Sequence, residues 1–230
     1  MAGSNIKMLQ TAATGLGDLK EKVIFVGGVV AGLYADDSAA SEIRATQDVD
    51  CVIELTTRKM HAELEERLRS KKFANDTSPG APICRWIYSG IKVDIMPTDE
   101  EVLGFSNRWY SAGFRNRITK ELPNGTQIFV LSPEYYLATK FEAHKSRGGN
   151  DLRQSHDFED IIYILDNCTE IVEIIKGSKP DIKEYLKMEA MKLIENSSIN
   201  EGIECALPYG SDSDRVEMLH DRLLEISELA

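Results

Sequence analysis

The sequence predicts an α/β protein built in two parts: a small mixed β-sheet flanked by helices over residues 1–131, and a helical region over residues 132–230. Two observations predict this. Short apolar, β-branched runs alternate with helical patterns as far as Leu131, and beyond it only spacings of three and four residues recur. Charge also divides the chain. Residues 1–153 hold 20 Lys and Arg against 20 Asp and Glu, whereas residues 154–230 hold 7 against 18, so the whole net charge of −11 lies in the last third. That balance argues against a generic DNA-coating role, because the chain as a whole repels phosphate.

Residues 5–21 read as a short helix interrupted by glycine. Val23–Val26 is a compact apolar run that ends in Gly27-Gly28, the pattern of a buried strand with a tight exit. Val29–Ala35 reads as helix, and residues 36–47 as a polar loop. Val49–Leu55 is a second strand. Thr56–Lys72 is a helix whose apolar stripe is Met60, Leu64 and Leu68. Ile83–Tyr88 and Ile91–Met96 are separated only by Ser89-Gly90, a two-residue hairpin signal. Residues 99–118 read as partly helical. Leu122-Pro123-Asn124-Gly125 is a turn before a short strand, Gln127–Leu131.

Ser132-Pro133-Glu134 opens a helix with proline at its first position; that helix stops at Gly148-Gly149. Ser155–Leu165 opens the next, and helical patterns continue over 168–176, 181–195 and 213–229, broken at Gly177, Pro180 and Pro208. In the last of these, Leu219, Leu223, Ile226 and Leu229 form an apolar stripe, suited to internal packing or to a partner. Trp86, Trp109, Tyr110, Tyr135 and Tyr136 read as core or rim before they read as base-stacking platforms.

Cys51, Cys84, Cys168 and Cys205 form no CxxC pair, which argues against a zinc ribbon or redox motif and fits reduced thiols in a cytoplasmic protein. No run approaches the roughly 18 apolar residues of a membrane helix, and the N-terminus has no signal-peptide pattern. Two basic groups stand out: Arg108, Arg115, Arg117 and Lys120, then Lys140, Lys145, Arg147 and Arg153.

The sharpest chemical feature is Asp48-Val49-Asp50 at the start of a strand. Side chains at i and i+2 share a face, so the two carboxylates project together while Val49, Cys51, Ile53 and Leu55 bury the other face. Paired carboxylates repel unless a cation lies between them, and hard oxygen donors suit Mg²⁺. The same pattern also fits two solvated acids. Asp94, in the middle of an apolar hairpin strand, becomes a third carboxylate of the group if that hairpin lies beside Val49–Leu55. The competing reading is an ion pair with Lys92 or a nearby arginine. Gly27-Gly28 lets backbone approach a ligand closely, and the helix start after it offers N–H groups to phosphate. Neither a P-loop nor a GxGxxG fingerprint is present.

A strand followed by Gly27-Gly28 and a helix, then Arg44-Ala45-Thr46-Gln47-Asp48-Val49-Asp50, then Lys92-Val93-Asp94, resembles the nucleotidyltransferase superfamily of DNA polymerase β type. Lys140-Phe141-Glu142-Ala143, Arg147 and Asp157-Phe158-Glu159-Asp160 narrow the resemblance to the AbiEii/AbiGii-type toxin nucleotidyltransferases of abortive-infection and toxin–antitoxin systems. It covers about residues 22–165.

The resemblance implies a nucleotidyltransferase fold and a metal-dependent transfer of NMP from an NTP to an acceptor hydroxyl, on RNA (tRNA) or protein. Asp48, Asp50 and Asp94 would be the catalytic and metal-binding carboxylates, serving two Mg²⁺ ions. Gly27, Gly28, Lys140, Arg147 and Asp157 would serve the nucleotide, with Asp157 or Asp160 orienting Lys140. Asp157 equally suits the first turn of a helix for its dipole alone. A cognate antitoxin would be a partner. Two other readings are an aminoglycoside-type adenylyltransferase, which suits the acidic chain, and a non-catalytic nucleotide-binding module.

Overall fold

A computed structural model describes residues 2–36, 40, 43–148 and 151–229. Of the expected polar loop 36–47, positions 37–39, 41 and 42 lie outside the described residues, as does Gly149 of the expected helix stop. The protein is mixed α/β, with one seven-stranded sheet and ten α-helices among the described residues. It divides into two units, Met1–Leu33 with Glu42–Ser132, and Tyr34–Ser41 with Pro133–Ala230. Tyr34–Ser41 is grouped with the helices and not with the sheet.

The first unit opens with α1 (Ala2–Leu16), which buries Asn5, Leu9, Ala12, Ala13 and Leu16. Their spacing of three and four puts them on one face. A 3₁₀ helix, Gly17–Lys22, leads into β1 (Val23–Val26), whose four side chains are all buried. A second 3₁₀ helix, Gly28–Tyr34, stands where the sequence predicted an α-helix. Its two glycines and two β-branched valines carry little α propensity, and seven residues do not build a stable α-helix unaided.

Next come β2 (Asp48–Ile53) and α2 (Arg58–Ser70), whose N-cap Thr57 accepts a hydrogen bond from Met60 N. Leu64 and Leu68 of its stripe are buried, whereas Met60 is 39% exposed. After β3 (Ala74–Asn75), β4 (Arg85–Tyr88) and β5 (Ile91–Pro97) form the expected hairpin. Ser89 and Gly90 both take positive φ, as a two-residue turn of this kind requires.

Residues 99–118 hold two short helices, α3 (Glu100–Leu103) and α4 (Tyr110–Arg115). From Arg117 onward the sequence expectation is corrected: β6 (Arg117–Glu121) is a strand, paired antiparallel with β7 (Gln127–Leu131) across the Leu122–Gly125 turn.

The sheet order is β3-β4-β5-β2-β1-β7-β6. β2 and β5 pair in parallel, as do β1 and β7, and the other neighbours are antiparallel. The central strands therefore need no polar face except where one is used.

The second unit is helical: α5 (Pro133–Arg147), α6 (His156–Asn167), α7 (Ile171–Lys176), α8 (Pro180–Ile194), α9 (Ile199–Ala206) and α10 (Ser213–Ser227). Tyr135 through Phe141 are all buried, so α5 is the unit's central helix, packed against α6, α7 and α8. Pro180, expected as a break, is the first residue of α8, where its missing N–H costs nothing. α9 is an addition to the expected helices. The stripe Leu219, Leu223, Ile226 and Leu229 is buried, which decides for internal packing. Among the described residues no helix is long and apolar enough to cross a membrane.

The segment around Tyr34 belongs to this unit through its contacts. Tyr34 packs on Tyr136 of α5 with ring centroids 4.7 Å apart. Asp36 accepts hydrogen bonds from Thr169 N at 2.7 Å and Thr169 Oγ1 at 2.8 Å.

Candidate active site

Strand pairing assembles the site in the first unit. β2 and β5 run parallel with Asp50 opposite Asp94 and Asp48 opposite Lys92. Alternation gives Asp48, Asp50 and Asp94 a common face. On the other face Val49, Cys51 and Ile53 are buried, as their pattern predicts. Burial pushes the Cys51 thiol well above its ordinary pKa, and the neighbouring Asp50 and Asp94 raise it further. β1 lies on the other side of β2, with Val26 opposite Asp50. The next residue is Gly27, so the diglycine turn is brought to the carboxylate end of the strands.

The fit at that turn is close. Gly27 has φ +75°, and a Cβ there would overlap the Asp50 carboxylate. At Gly28 a Cβ would stand 2.7 Å from Arg44 Nη2 and 3.0 Å from Thr46 Cγ2. Gly27 is therefore required by its backbone conformation and by Asp50, whereas at Gly28 the nearest neighbour is the far end of an arginine side chain.

Arg85 on β4, a residue absent from the sequence reading, completes the group. It faces Asp94 across the hairpin. Its Nε donates to Asp94 Oδ1 at 2.8 Å, and its Nη2 donates to Asp94 Oδ2 at 2.7 Å and to Asp48 Oδ2 at 2.7 Å. The fork explains how Asp94 can be 6% exposed in an apolar strand. The ion pair expected as the competing reading of Asp94 is thus present, with an arginine and not Lys92 as the partner. Hydrogen bonds to Asp94, with the charges of Asp94 and Asp48, hold the guanidinium above its ordinary pKa against the cost of burial.

As the side chains stand, no group of three or more His, Cys, Asp or Glu among the described residues is arranged to hold a metal ion. The donor chemistry nevertheless fits Mg²⁺, since three hard carboxylates share a face and Arg85 already shows that Asp48 and Asp94 can bind one cation jointly.

Lys140, Arg147 and Asp157 form a second group, within the helical unit. Lys140 is 5% exposed and its Nζ reaches Asp157 Oδ1 at 3.1 Å and Asp160 Oδ2 at 2.5 Å. Asp157 and Asp160 are one helical turn apart on α6, so both face α5. Arg147 donates to both oxygens of Asp157, at 2.8 and 3.0 Å. Burial disfavours charge on Lys140, yet the two carboxylates outweigh it and raise its pKa. Burial likewise opposes charge on Asp157, but the Arg147 hydrogen bonds and Lys140 bring its pKa below the ordinary carboxylate value.

Beside them His144 Nδ1 lies 2.7 Å from Ser155 Oγ, the N-cap of α6. Burial lowers the imidazole pKa despite Asp157 and Glu189. Trp86, Trp109, Tyr135 and Tyr136 are buried.

Two cavities stand apart from the carboxylates. One of about 420 Å³ lies at the exit of β2, floored by Leu19, Ile53, Leu55 and Leu64 and rimmed by charges of both signs. Another, of about 610 Å³, lies between α9 and α10 and is lined by Glu201, Glu204, Asp212, Glu217 and Asp221 with His220. No protein-family model and no curated protein matches the chain.

Proposed function

We propose that the protein is a nucleotidyltransferase that moves NMP from an NTP to an acceptor hydroxyl, with its active centre at Asp48, Asp50 and Asp94. The observation that carries this reading is the convergence of the three carboxylates on one sheet face beside a diglycine turn. Nucleotidyl transfer asks a protein for charge neutralisation and alignment more than for covalent chemistry, and clustered carboxylates beside a glycine turn suit that demand.

Asp48, Asp50 and Asp94 would hold Mg²⁺, which when bound neutralises phosphate charge and lowers the pKa of a coordinated hydroxyl. The residues' own work is then separable. Asp50 lies against Gly27, in space that any side chain at that position would take. Asp94 would help to hold the metal and assist deprotonation of the acceptor hydroxyl. Arg85 keeps Asp48 and Asp94 from repelling each other. The fold would be of the DNA polymerase β nucleotidyltransferase type, with RNA or protein as acceptor and a cognate antitoxin as partner. Lys140 is assigned to the helical framework, because two carboxylates already hold its charge.

The test is transfer of label from each α-³²P NTP, with Mg²⁺, to total RNA, to protein and to aminoglycosides. The parent is expected to label one acceptor class. The Asp48→Asn, Asp50→Asn variant is expected to lose labelling with its circular dichroism unchanged. Labelling retained by that variant would refute the role of the carboxylates.

A further inference from the structure

The diglycine turn has a different side chain on each of its two residues: the Asp50 carboxylate lies against Gly27 and the Arg44 guanidinium against Gly28. A metal–triphosphate presents the complementary pair, a cation and an anion joined together. We propose that Arg44 is the residue that binds the terminal phosphates of the nucleotide, through its guanidinium at Gly28. The proposal rests on the nucleotidyltransferase reading and adds its phosphate-recognition residue.

Three features support it. Gly28 has no side chain, and the Arg44 guanidinium lies against it, with Nη2 2.7 Å from where a Cβ would stand. The segment that carries Arg44 is anchored. Asn5 of α1, 2% exposed, donates Nδ2 to Arg44 O at 3.1 Å and accepts from Thr46 N at 3.2 Å through Oδ1, and Thr46 Oγ1 donates to Asp48 O at 3.3 Å. One buried amide thus sets where Arg44 leaves the chain, four residues ahead of the first carboxylate. Third, the other route to phosphate is weak here. The element after the turn is a seven-residue 3₁₀ helix, which offers little of the aligned N–H field of an α-helix. A planar guanidinium fork suits phosphate oxygens in pairs, which a point charge does not.

The experiment is a ladder of ligands on the full chain. Fluorescent analogues of the four NTPs, with Mg²⁺, identify the tightest. That NTP, its diphosphate, its monophosphate and inorganic tripolyphosphate are then titrated against the parent, Arg44→Gln and Arg44→Lys. In the parent, affinity falls as phosphates are removed, and tripolyphosphate competes. Arg44→Gln is expected to lose about tenfold or more for the triphosphate, the scale of one charge-assisted hydrogen bond. Its affinity for the monophosphate stays near the parent's, and Arg44→Lys recovers part of the loss. An unchanged ladder in Arg44→Gln overturns the assignment while leaving the nucleotide reading in place. So does an equal loss for all ligands with a lowered melting temperature, which marks a structural role. A parent that binds none of the four NTPs overturns the nucleotide reading, and the assignment with it.

Discussion

At the scale of single residues, the centre depends on a few close fits. Arg85 holds the buried Asp94 and the partly exposed Asp48 at once. Arg85→Gln removes the compensating charge and is expected to cost roughly 1–3 kcal/mol, the penalty for a buried polar group left without its partner. Because Mg²⁺ would bind the vacated carboxylates, adding it should raise the melting temperature of Arg85→Gln by more than that of the parent. Differential scanning fluorimetry with and without Mg²⁺ checks both statements. Gly27→Ala tests the other fit. Its φ of +75° and the overlap with Asp50 both oppose a methyl group. Transfer activity is expected to fall at least as far as in Asp50→Ala, and a fully active Gly27→Ala would contradict the packing. Arg85 was legible in principle. A two-residue loop at Ser89-Gly90 pairs Tyr88 with Ile91, and counting outward pairs Arg85 with Asp94. Asn5 had no such signal. Its partners are 39 and 41 residues away, and nothing in its neighbourhood marks it as buried.

At the scale of elements, α5 and α6 are joined by charge inside an apolar interface. Lys140→Met leaves Asp157 and Asp160 buried without the lysine and is expected to cost about 3–5 kcal/mol. Denaturant unfolding measures it. Asp157 adds a pH dependence whose sign follows from its pairs. Its folded pKa lies below the ordinary 3.8, so its contribution is complete above that value and is lost as pH falls through the lower folded pKa. The melting-temperature gap between the parent and Asp157→Asn should therefore be steady near neutrality and close as pH is taken below about 4. A gap that stays constant down to pH 3 would show that the charge is not what matters. The sequence identified α5 and α6 by their caps and periodicity, because those signals are local. It missed β6, where Arg117, Thr119 and Glu121 leave no apolar face to count, and the strand exists because β7 offers it a partner.

At the scale of the whole molecule, the two units do not separate at one point in the chain, since Tyr34–Ser41 belongs with residues 133–230. A fragment of residues 133–230 loses the ring of Tyr34 from Tyr136 and the Asp36 cap on Thr169. It is expected to melt at a lower temperature than the same unit within the full chain, and to bind a hydrophobic dye that the full chain does not. A fragment as stable as the unit in place would show that the segment 34–41 contributes nothing. The acid excess of the last third is partly used within that unit: Asp166 pairs with Arg215, and Glu189 with Lys145 and Lys192.

The sequence by itself determined the change from mixed strands and helices to helices alone, the diglycine exit from the first strand, the pairing of Asp48 with Asp50 on one face and the hairpin that carries Asp94. Each of these follows from periodicity or turn chemistry within a dozen residues. Only the tertiary structure decided that β5 lies parallel to β2 with Asp94 opposite Asp50, that Asp48 comes within reach of Arg85, that Lys140 is held by two carboxylates and that Arg44 packs on Gly28. Those depend on which strand or helix becomes whose neighbour. That choice is made by burying apolar area between segments distant in the chain, and no local pattern encodes it.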